Sequence, residues 1–111
     1  MVIDTQPESK VLAELVRRTV DAVRPLRIVL FGSAARGEMG PNSDLDVLVI
    51  MPNGSNCRAA AQTLYHHLGA LGCAKDILVF QQCDIEQYGD NPSLIIHTAL
   101  TEGKELYHAA G

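Results

Sequence analysis

The sequence predicts a single α/β (α+β) domain over residues 1–111, with a small mixed sheet and helices mainly on one face. Apolar residues recur at helical spacing in three long stretches, and short runs rich in Ile, Val and Leu separate these stretches. No internal repeat, linker or low-complexity segment divides the chain. Apolar residues make up 47% and charged residues 20%, which is ordinary for a globular domain.

The first predicted helix begins near Thr5, because Thr5 to Glu8 has the form of a capping box with proline tolerated in the first turn. It ends before Pro25. The apolar run from Leu26 to Phe31 predicts the first strand, and a short helix is predicted over residues 34–38. The second strand is predicted from Asp44 to Met51.

Apolar side chains on both faces of the second strand beyond Asp46 indicate that its second half is covered on both sides. A second long helix is predicted from a Ser55 N-cap to a Gly72 C-cap. The remaining predictions are a strand over 76–80, a polar connector or short helical turn over 84–90, a helix from Asn91-Pro92 through Leu100 that Gly103 ends, and a last strand over 104–107.

Charge and hydropathy narrow the classes of partner. The net charge of −4 argues against duplex DNA, whose phosphates require clustered Lys and Arg. A small polyphosphate that arrives with Mg²⁺ fits better, since the metal supplies the positive charge. No apolar run approaches the ~20 residues of a membrane span, and the N-terminus lacks the layout of a secretory signal. We therefore expect a cytoplasmic protein without a membrane partner, and homo-oligomerisation is left open.

Cysteine and histidine give no predicted metal site. Cys57, Cys73 and Cys83 are scattered, form no Cys-x-x-Cys pair and are odd in number, so we expect small core residues rather than a zinc site or a disulfide framework. The adjacent His66-His67 pair would point about 100° apart on a helix, so we expect surface or half-buried histidines.

A Gly-Ser turn and a pair of aspartates carry the chemistry. Ten residues separate Gly32-Ser33 from Asp44, and Asp46 follows two positions later. A Gly-Ser turn after an apolar run can offer backbone N–H groups to a phosphate. Two carboxylates at i and i+2 of a strand point to one face, with Cα atoms roughly 6.6 Å apart, and can reach one divalent cation or bracket two. The alternatives are a tight turn with a helix cap and a solvated strand start.

This Gly32-Ser33, Asp44-Leu45-Asp46 arrangement, followed by a Val-Leu-Val run, resembles the polymerase-β-like nucleotidyltransferase superfamily. The small size resembles its minimal nucleotidyltransferase branch, of antitoxin type. The resemblance implies the fold of that superfamily and a transfer of a nucleoside monophosphate, AMP from ATP, to an acceptor hydroxyl. It also implies Mg²⁺ as cofactor, as two ions.

The resemblance further implies roles for individual carboxylates. Asp44 and Asp46 would hold the metal ions. Asp76 matches the third carboxylate of the superfamily, on a neighbouring strand, and would act as a metal ligand or as general base for the acceptor hydroxyl. The alternative for Asp76 is pairing with Lys75 or capping of the strand.

Four further residues would bind the nucleotide. Gly32 would allow close approach of a phosphate, because it has no Cβ. Ser33 would add a hydroxyl and an N–H to the β- and γ-phosphates. Arg36 would clamp the triphosphate or form a surface salt bridge instead. Ser43 would hydrogen-bond within the turn and orient Asp44.

Two classes of function remain open at this point. The first is an enzyme that modifies a hydroxyl of a partner protein, for which the minimal branch implies a helical HEPN-type toxin and its tyrosine. The second is a non-catalytic antitoxin or binding module that neutralises its partner by contact alone. An aminoglycoside acceptor ranks behind both, because larger relatives bind such acceptors with a second domain that this sequence lacks.

Overall fold

The computed structural model describes residues 7–32, 45–69, 75–91 and 94–109. The described residues form four helices and four strands, in the order α1 (Pro7–Val23), β1 (Arg27–Phe31), β2 (Leu45–Met51), α2 (Cys57–Leu68), β3 (Lys75–Gln81), α3 (Gln82–Tyr88), α4 (Ile95–Glu102) and β4 (Lys104–His108). None of the described helices has the length and apolarity needed to cross a membrane.

The strands form one mixed sheet in the order β3-β2-β1-β4. β1 is antiparallel to both of its neighbours, β2 and β4, whereas β2 and β3 are parallel. A parallel pair needs a crossover connection, and α2 lies in this connection. The parallel register places Leu45 opposite Lys75 and Met51 opposite Gln81. Both predicted features of the sheet, its small size and its mixed direction, are confirmed.

The two long helices, α1 and α2, lie on one face of the sheet, as predicted, and the two short helices, α3 and α4, cover part of the other. Leu15 and Leu64 anchor the long helices in the first core. The strand residues of this core are Ile28, Leu30, Leu45, Val47, Val49, Met51 and Ile77. Ile85, Ile96 and Ala99 anchor the short helices in the second core. Its strand residues are Val29, Phe31, Leu48 and Ile50.

Strand β2 separates the two cores. Val47 and Val49 point into the first core, and Leu48 and Ile50 into the second. All residues from Val47 to Met51 are buried, so the predicted cover on both sides of the second half is confirmed. Asp46 is the half-buried exception near the start of the strand.

Several predicted boundaries are wrong by a few residues. The N-cap of α2 is Asn56 rather than Ser55, and its side-chain Oδ1 accepts a hydrogen bond from the N–H of Ala59 at 3.0 Å. Asparagine caps a helix about as well as serine, so adjacent candidates compete. The helix ends at Leu68, with Gly69 as C-cap. The predicted cap, Gly72, lies outside the described residues.

Of the two alternatives predicted for the segment after β3, the short helical one is correct, and it forms α3. A capping box opens α3, in which the N–H of Gln81 donates to Oδ2 of Asp84 at 3.1 Å. α4 begins at Ile95, later than the Asn91-Pro92 signal predicts. Just before the helix, the N–H of Leu94 donates to the carbonyl of Asn91 at 3.1 Å.

The cysteine prediction is partly wrong. Cys83 is exposed and Cys57 is half-buried, while Cys73 lies outside the described residues. Cys83 occupies the first turn of α3, where its backbone N–H donates to Oδ1 of Asn53 at 2.7 Å and its side chain points away from both cores. His66 and His67 are both exposed, as predicted.

Candidate active site

Two aspartates lie side by side at one edge of the sheet. In the parallel pairing of β2 with β3, Asp46 is directly in register with Asp76. Neighbouring strands are about 4.8 Å apart, and side chains in register point to the same face. Asp46 is half-buried and Asp76 is exposed. Leu48 and Leu78, two residues further along each strand, contribute to the second core, so both carboxylates belong to the face that carries α3 and α4.

Gly32 lies against this pair, because β1 ends where β2 begins. Phe31 is in register with Asp46, and Gly32 is the next residue. Gly32 has φ +74°, in the left-handed region that favours glycine. A Cβ at this position would overlap Oδ2 of Asp46 and would lie 3.1 Å from its Cγ. The absence of a side chain at Gly32 therefore makes room for the Asp46 carboxylate.

These residues open onto a cleft of about 460 Å³. Its strand side carries the two aspartates, and its described lining consists of Phe31, Gly32, Asp46, Asp76, Leu78, Thr98 and Glu102. Its volume lies within the range of roughly 300–1,000 Å³ that is usual for ligand clefts. The cleft is therefore large enough for a small molecule and combines an apolar surface with carboxylates.

Thr98 and Glu102 form the helix side of the cleft and were not among the predicted site residues. They are four positions apart on α4, so they share a face of that helix. The sequence contains this spacing, but it gives no sign that this face of α4 meets the aspartates. Phe31 and Leu78 likewise read as ordinary apolar strand residues in the sequence.

Four predicted site residues, Ser33, Arg36, Ser43 and Asp44, lie outside the described residues, as does the predicted helix over 34–38. Gly32, Asp46 and Asp76 are described, and the fold brings these three together. Gly32 follows the last residue of β1, Asp46 lies in β2 and Asp76 lies in β3, so three strands contribute to this group. The roles assigned to all seven residues stay predictions.

The described lining of the cleft is acidic. It contains three carboxylates, those of Asp46, Asp76 and Glu102, and no Lys, Arg or His. Over the stretches 7–32, 45–69, 75–91 and 94–109, no three His, Cys, Asp or Glu side chains converge closely enough to hold a metal ion. The Asp46-Asp76 pair offers hard carboxylate oxygens, which are the type of ligand that Mg²⁺ prefers.

A second groove, of about 400 Å³, lies between α1 and α2 on the opposite face of the sheet. Its lining includes Arg17 and Arg18, but both arginines are engaged by Glu14. Hydrogen bonds from Arg17 and then Arg18 lower the pKa of Glu14 from 4.5 to about 2. Asp21 also pairs with Arg17, so two carboxylates balance the charge of the two arginines and the groove presents no free pair of cations to an anion.

Solved structures share the fold. One chain of "the toxin-antitoxin with AMP-PNP" superposes with a TM-score of 0.67 at 22% identity, over 88% of this chain and 73% of that one. A chain of the toxin-antitoxin MntA-HpeT, in a mutant with two Asp-to-Glu replacements two positions apart, gives 0.65 at 19% identity, with the same 88% and 73% coverage. A nucleotidyltransferase from Sulfolobus solfataricus gives 0.55 at 16% identity, over 89% of this chain and 78% of that one.

At these identities the structures establish the fold. Among curated proteins, none matches the sequence significantly. A family model described as "Nucleotidyltransferase domain" matches residues 9–97, which span all but the ends of the chain and include Gly32, Asp46 and Asp76. The resemblance seen in the sequence is therefore confirmed at the level of the family, and the chain belongs to the nucleotidyltransferase domain family.

Proposed function

We propose that this chain is a Mg²⁺-dependent nucleotidyltransferase that moves AMP from ATP to a hydroxyl group of a partner protein. The observation that carries the proposal is the pairing of Asp46 with Asp76 at the mouth of a cleft, in a chain of the nucleotidyltransferase family. Like charges in register on neighbouring strands repel each other. A cation bound between them relieves this repulsion, so the arrangement favours a metal site over a structural one.

The metal ligands in this proposal are Asp44 and Asp46, and Asp76 is either a third ligand or the general base. The chemistry of the donors fits two Mg²⁺ ions, because each Mg²⁺ takes one or two carboxylates together with substrate phosphates. When bound, Mg²⁺ neutralises charge on the phosphates and lowers the pKa of a coordinated hydroxyl. Gly32 positions the first described ligand, since only a residue without Cβ leaves room for the Asp46 carboxylate.

The triphosphate would bind next to this pair. Ser33 would donate its hydroxyl and N–H groups to phosphate oxygens, and Arg36 would add a charged donor. Ser43 would hold Asp44 in orientation within the preceding turn. The apolar surfaces of Phe31 and Leu78 line the same cleft and suit the uncharged parts of a nucleotide.

In the transfer itself, the acceptor oxygen forms a bond to the α-phosphorus while the bond from that phosphorus to its bridging oxygen breaks. Pyrophosphate leaves with the bridging oxygen, and the hydroxyl proton passes to a base. Asp76 is the candidate base, because it is more exposed than Asp46 and so is open to an incoming acceptor. A positioned base contributes typically about 10²–10⁴-fold to a rate.

A partner protein as acceptor is supported by the relatives. Two of the similar structures are toxin-antitoxin complexes, and one of them was solved with AMP-PNP. By analogy we propose a helical HEPN-type partner, modified on a hydroxyl side chain. The competing function is a non-catalytic module that neutralises the same partner by contact alone.

Labelled ATP separates these two functions. The chain is incubated with Mg²⁺, ATP labelled in the α-phosphate and the proposed HEPN-type partner. Label on the partner is counted, and the added mass is measured by intact-mass spectrometry. Transfer of an AMP mass, slowed about 10²–10⁴-fold by Asp76→Asn, supports the enzyme. Asp90→Asn is the matched control, because Asp90 is exposed and does not line the cleft. A stable complex that gains no AMP mass supports the binding module instead.

A further inference from the structure

The helix side of the cleft carries a carboxylate with no assigned role. Glu102 is the last residue of α4, one helical turn beyond Thr98, and its side chain is exposed. Within the described part of the chain, no hydrogen bond or ion pair engages it. A helix C-terminus has a partial negative charge, which makes this an unfavourable place for an unpaired carboxylate.

The neighbouring negative charges make an unpaired carboxylate at Glu102 still less favourable. The cleft also contains Asp46 and Asp76, and its described lining has no cation. In the proposed reaction, Mg²⁺ accounts for the aspartates on the strand side. Among the described residues, Glu102 does not form a metal-binding group of three with Asp46 and Asp76. The Glu102 carboxylate is therefore available to a cationic ligand other than the metal.

We infer that Glu102 is a specificity-determining residue that selects an acceptor whose hydroxyl is flanked by basic side chains. The inference rests on the proposed function, since it names the acceptor class of the same site. A carboxylate recognises a cation by direct charge pairing, and an acidic surface attracts and orients a basic partner. ATP itself is an anion, so a carboxylate on the helix side disfavours the triphosphate there and favours a basic acceptor.

Two synthetic peptides of equal length test the inference. Each contains one tyrosine, flanked by arginines in the first peptide and by glutamates in the second. AMP transfer from Mg-ATP to each peptide is measured for the unaltered chain, for Glu102→Gln and for Glu102→Lys. Glu86→Gln is the matched control, because Glu86 is an exposed residue of α3 outside the cleft. Binding of Mg-ATP is measured separately by calorimetry.

The arginine peptide should be the better acceptor. Because an exposed ion pair is weak, Glu102→Gln should raise the KM for this peptide about 2- to 5-fold, with kcat and Mg-ATP affinity unchanged. Glu102→Lys should raise it further and reduce the preference between the peptides, whereas Glu86→Gln should leave every constant unchanged.

Three results would overturn the inference. The first is an unchanged peptide KM in Glu102→Gln. The second is an altered Mg-ATP affinity in the Glu102 variants, which would assign Glu102 to the nucleotide. The third is failure of the unaltered chain to modify either peptide although it binds Mg-ATP. The last result leaves nucleotide binding intact. If the unaltered chain does not bind Mg-ATP, the proposed function itself fails and the inference falls with it.

Discussion

The two faces of the sheet use the same strands for different purposes. On the face of α1 and α2, side chains along the whole length of β2, from Leu45 to Met51, are buried in an apolar core. On the face of α3 and α4, the core covers only Leu48 and Ile50, and the position before them is Asp46. Two long helices close the first face, whereas two short helices leave the edge of the second face open as a cleft.

This difference indicates a division of labour within one small domain. The closed face supplies most of the burial that stabilises the chain, because apolar area removed from water is the main favourable term in folding. The open face can then contain two carboxylates in register on neighbouring strands. Substitutions on the two faces should therefore separate stability from activity.

The largest effect is expected from Asp46→Asn. Transfer should fall about a thousandfold, which corresponds to roughly 4 kcal/mol of lost transition-state stabilisation. The melting temperature should stay the same or rise in metal-free buffer, because one of two repelling charges is removed. Steady-state kinetics and thermal unfolding of the same sample measure both quantities. A fall in melting temperature of several degrees would place Asp46 among the structural residues.

The counterpart on the closed face is Leu64→Ala. Leu64 is fully buried in α2, so its truncation should cost about 3 kcal/mol and lower the melting temperature by about 10 °C or more. At a temperature where this variant is still folded, it should retain its rate. A variant that is as stable as the original but inactive would contradict the division between the faces.

A smaller effect is expected from Gly32→Ala, which tests the contact between the turn and the site. Alanine at φ +74° costs roughly 1–2 kcal/mol, and its Cβ would displace the Asp46 carboxylate. Stability and activity should both fall. Gly54→Ala is the matched control, since Gly54 has φ +90° but a Cβ there would meet nothing within 4 Å. The control should lose stability alone; equal loss of activity in both variants would assign the effect of Gly32→Ala to backbone strain.

Thr19→Val tests the closed face with a substitution that should increase stability. Thr19 is fully buried against the closed face, and its Oγ1 has no hydrogen-bond partner among the described residues. Replacing an unsatisfied hydroxyl by a methyl group should increase the free energy of unfolding by about 1 kcal/mol. Urea denaturation measures this gain, and the transfer rate should not change. A loss of stability would show that the hydroxyl is satisfied in solution.

The smallest effect concerns pH. A hydrogen bond from Arg27 at 2.8 Å, and a second from His108 at 2.9 Å, lower the pKa of Glu105 below its ordinary value of 4.5. A lowered pKa in the folded state stabilises the fold above pH 4.5, and this contribution disappears as the pH falls through the lowered pKa.

Glu105→Gln should therefore reduce stability near neutral pH, and by only about 0.2–1 kcal/mol, because the pair is exposed to solvent. Urea denaturation of both proteins from pH 7 downward measures the difference, which should shrink in acid. A difference that is constant with pH would exclude the ionised carboxylate as its cause.

The sequence is informative where a signal is local. The helical spacing of the first stretch, the alternation along β2 and the Gly32-to-Asp46 motif all predict features that the structure contains. The ends of helices are less well determined by local sequence. Ser55 and Asn56 are both good N-caps for α2, and only tertiary packing decides between them.

Asp76, Thr98 and Glu102 in the lining of the cleft could not be predicted in the same way. Asp76 was identified only through the resemblance, because a lone aspartate at the start of a strand has no signal of its own. Thr98 and Glu102 line the same cleft as the aspartates because α4 packs on the sheet, and no local pattern in the sequence predicts this packing. Cys83 shows the same limit, since its exposure depends on α3, a helix that its polar sequence barely predicts.

The parallel pairing of β2 with β3 also has a consequence during protein synthesis. Asp76 follows Asp46 by 30 residues, and the whole of α2 is made between them. At about 5–20 residues per second, a ribosome needs roughly 1.5–6 s for this interval. During that time the nascent chain contains one half of the carboxylate pair and cannot hold a metal ion between two strands. A chain interrupted before β3 therefore lacks Asp76, and the Asp46-Asp76 pair is assembled only when the crossover is complete.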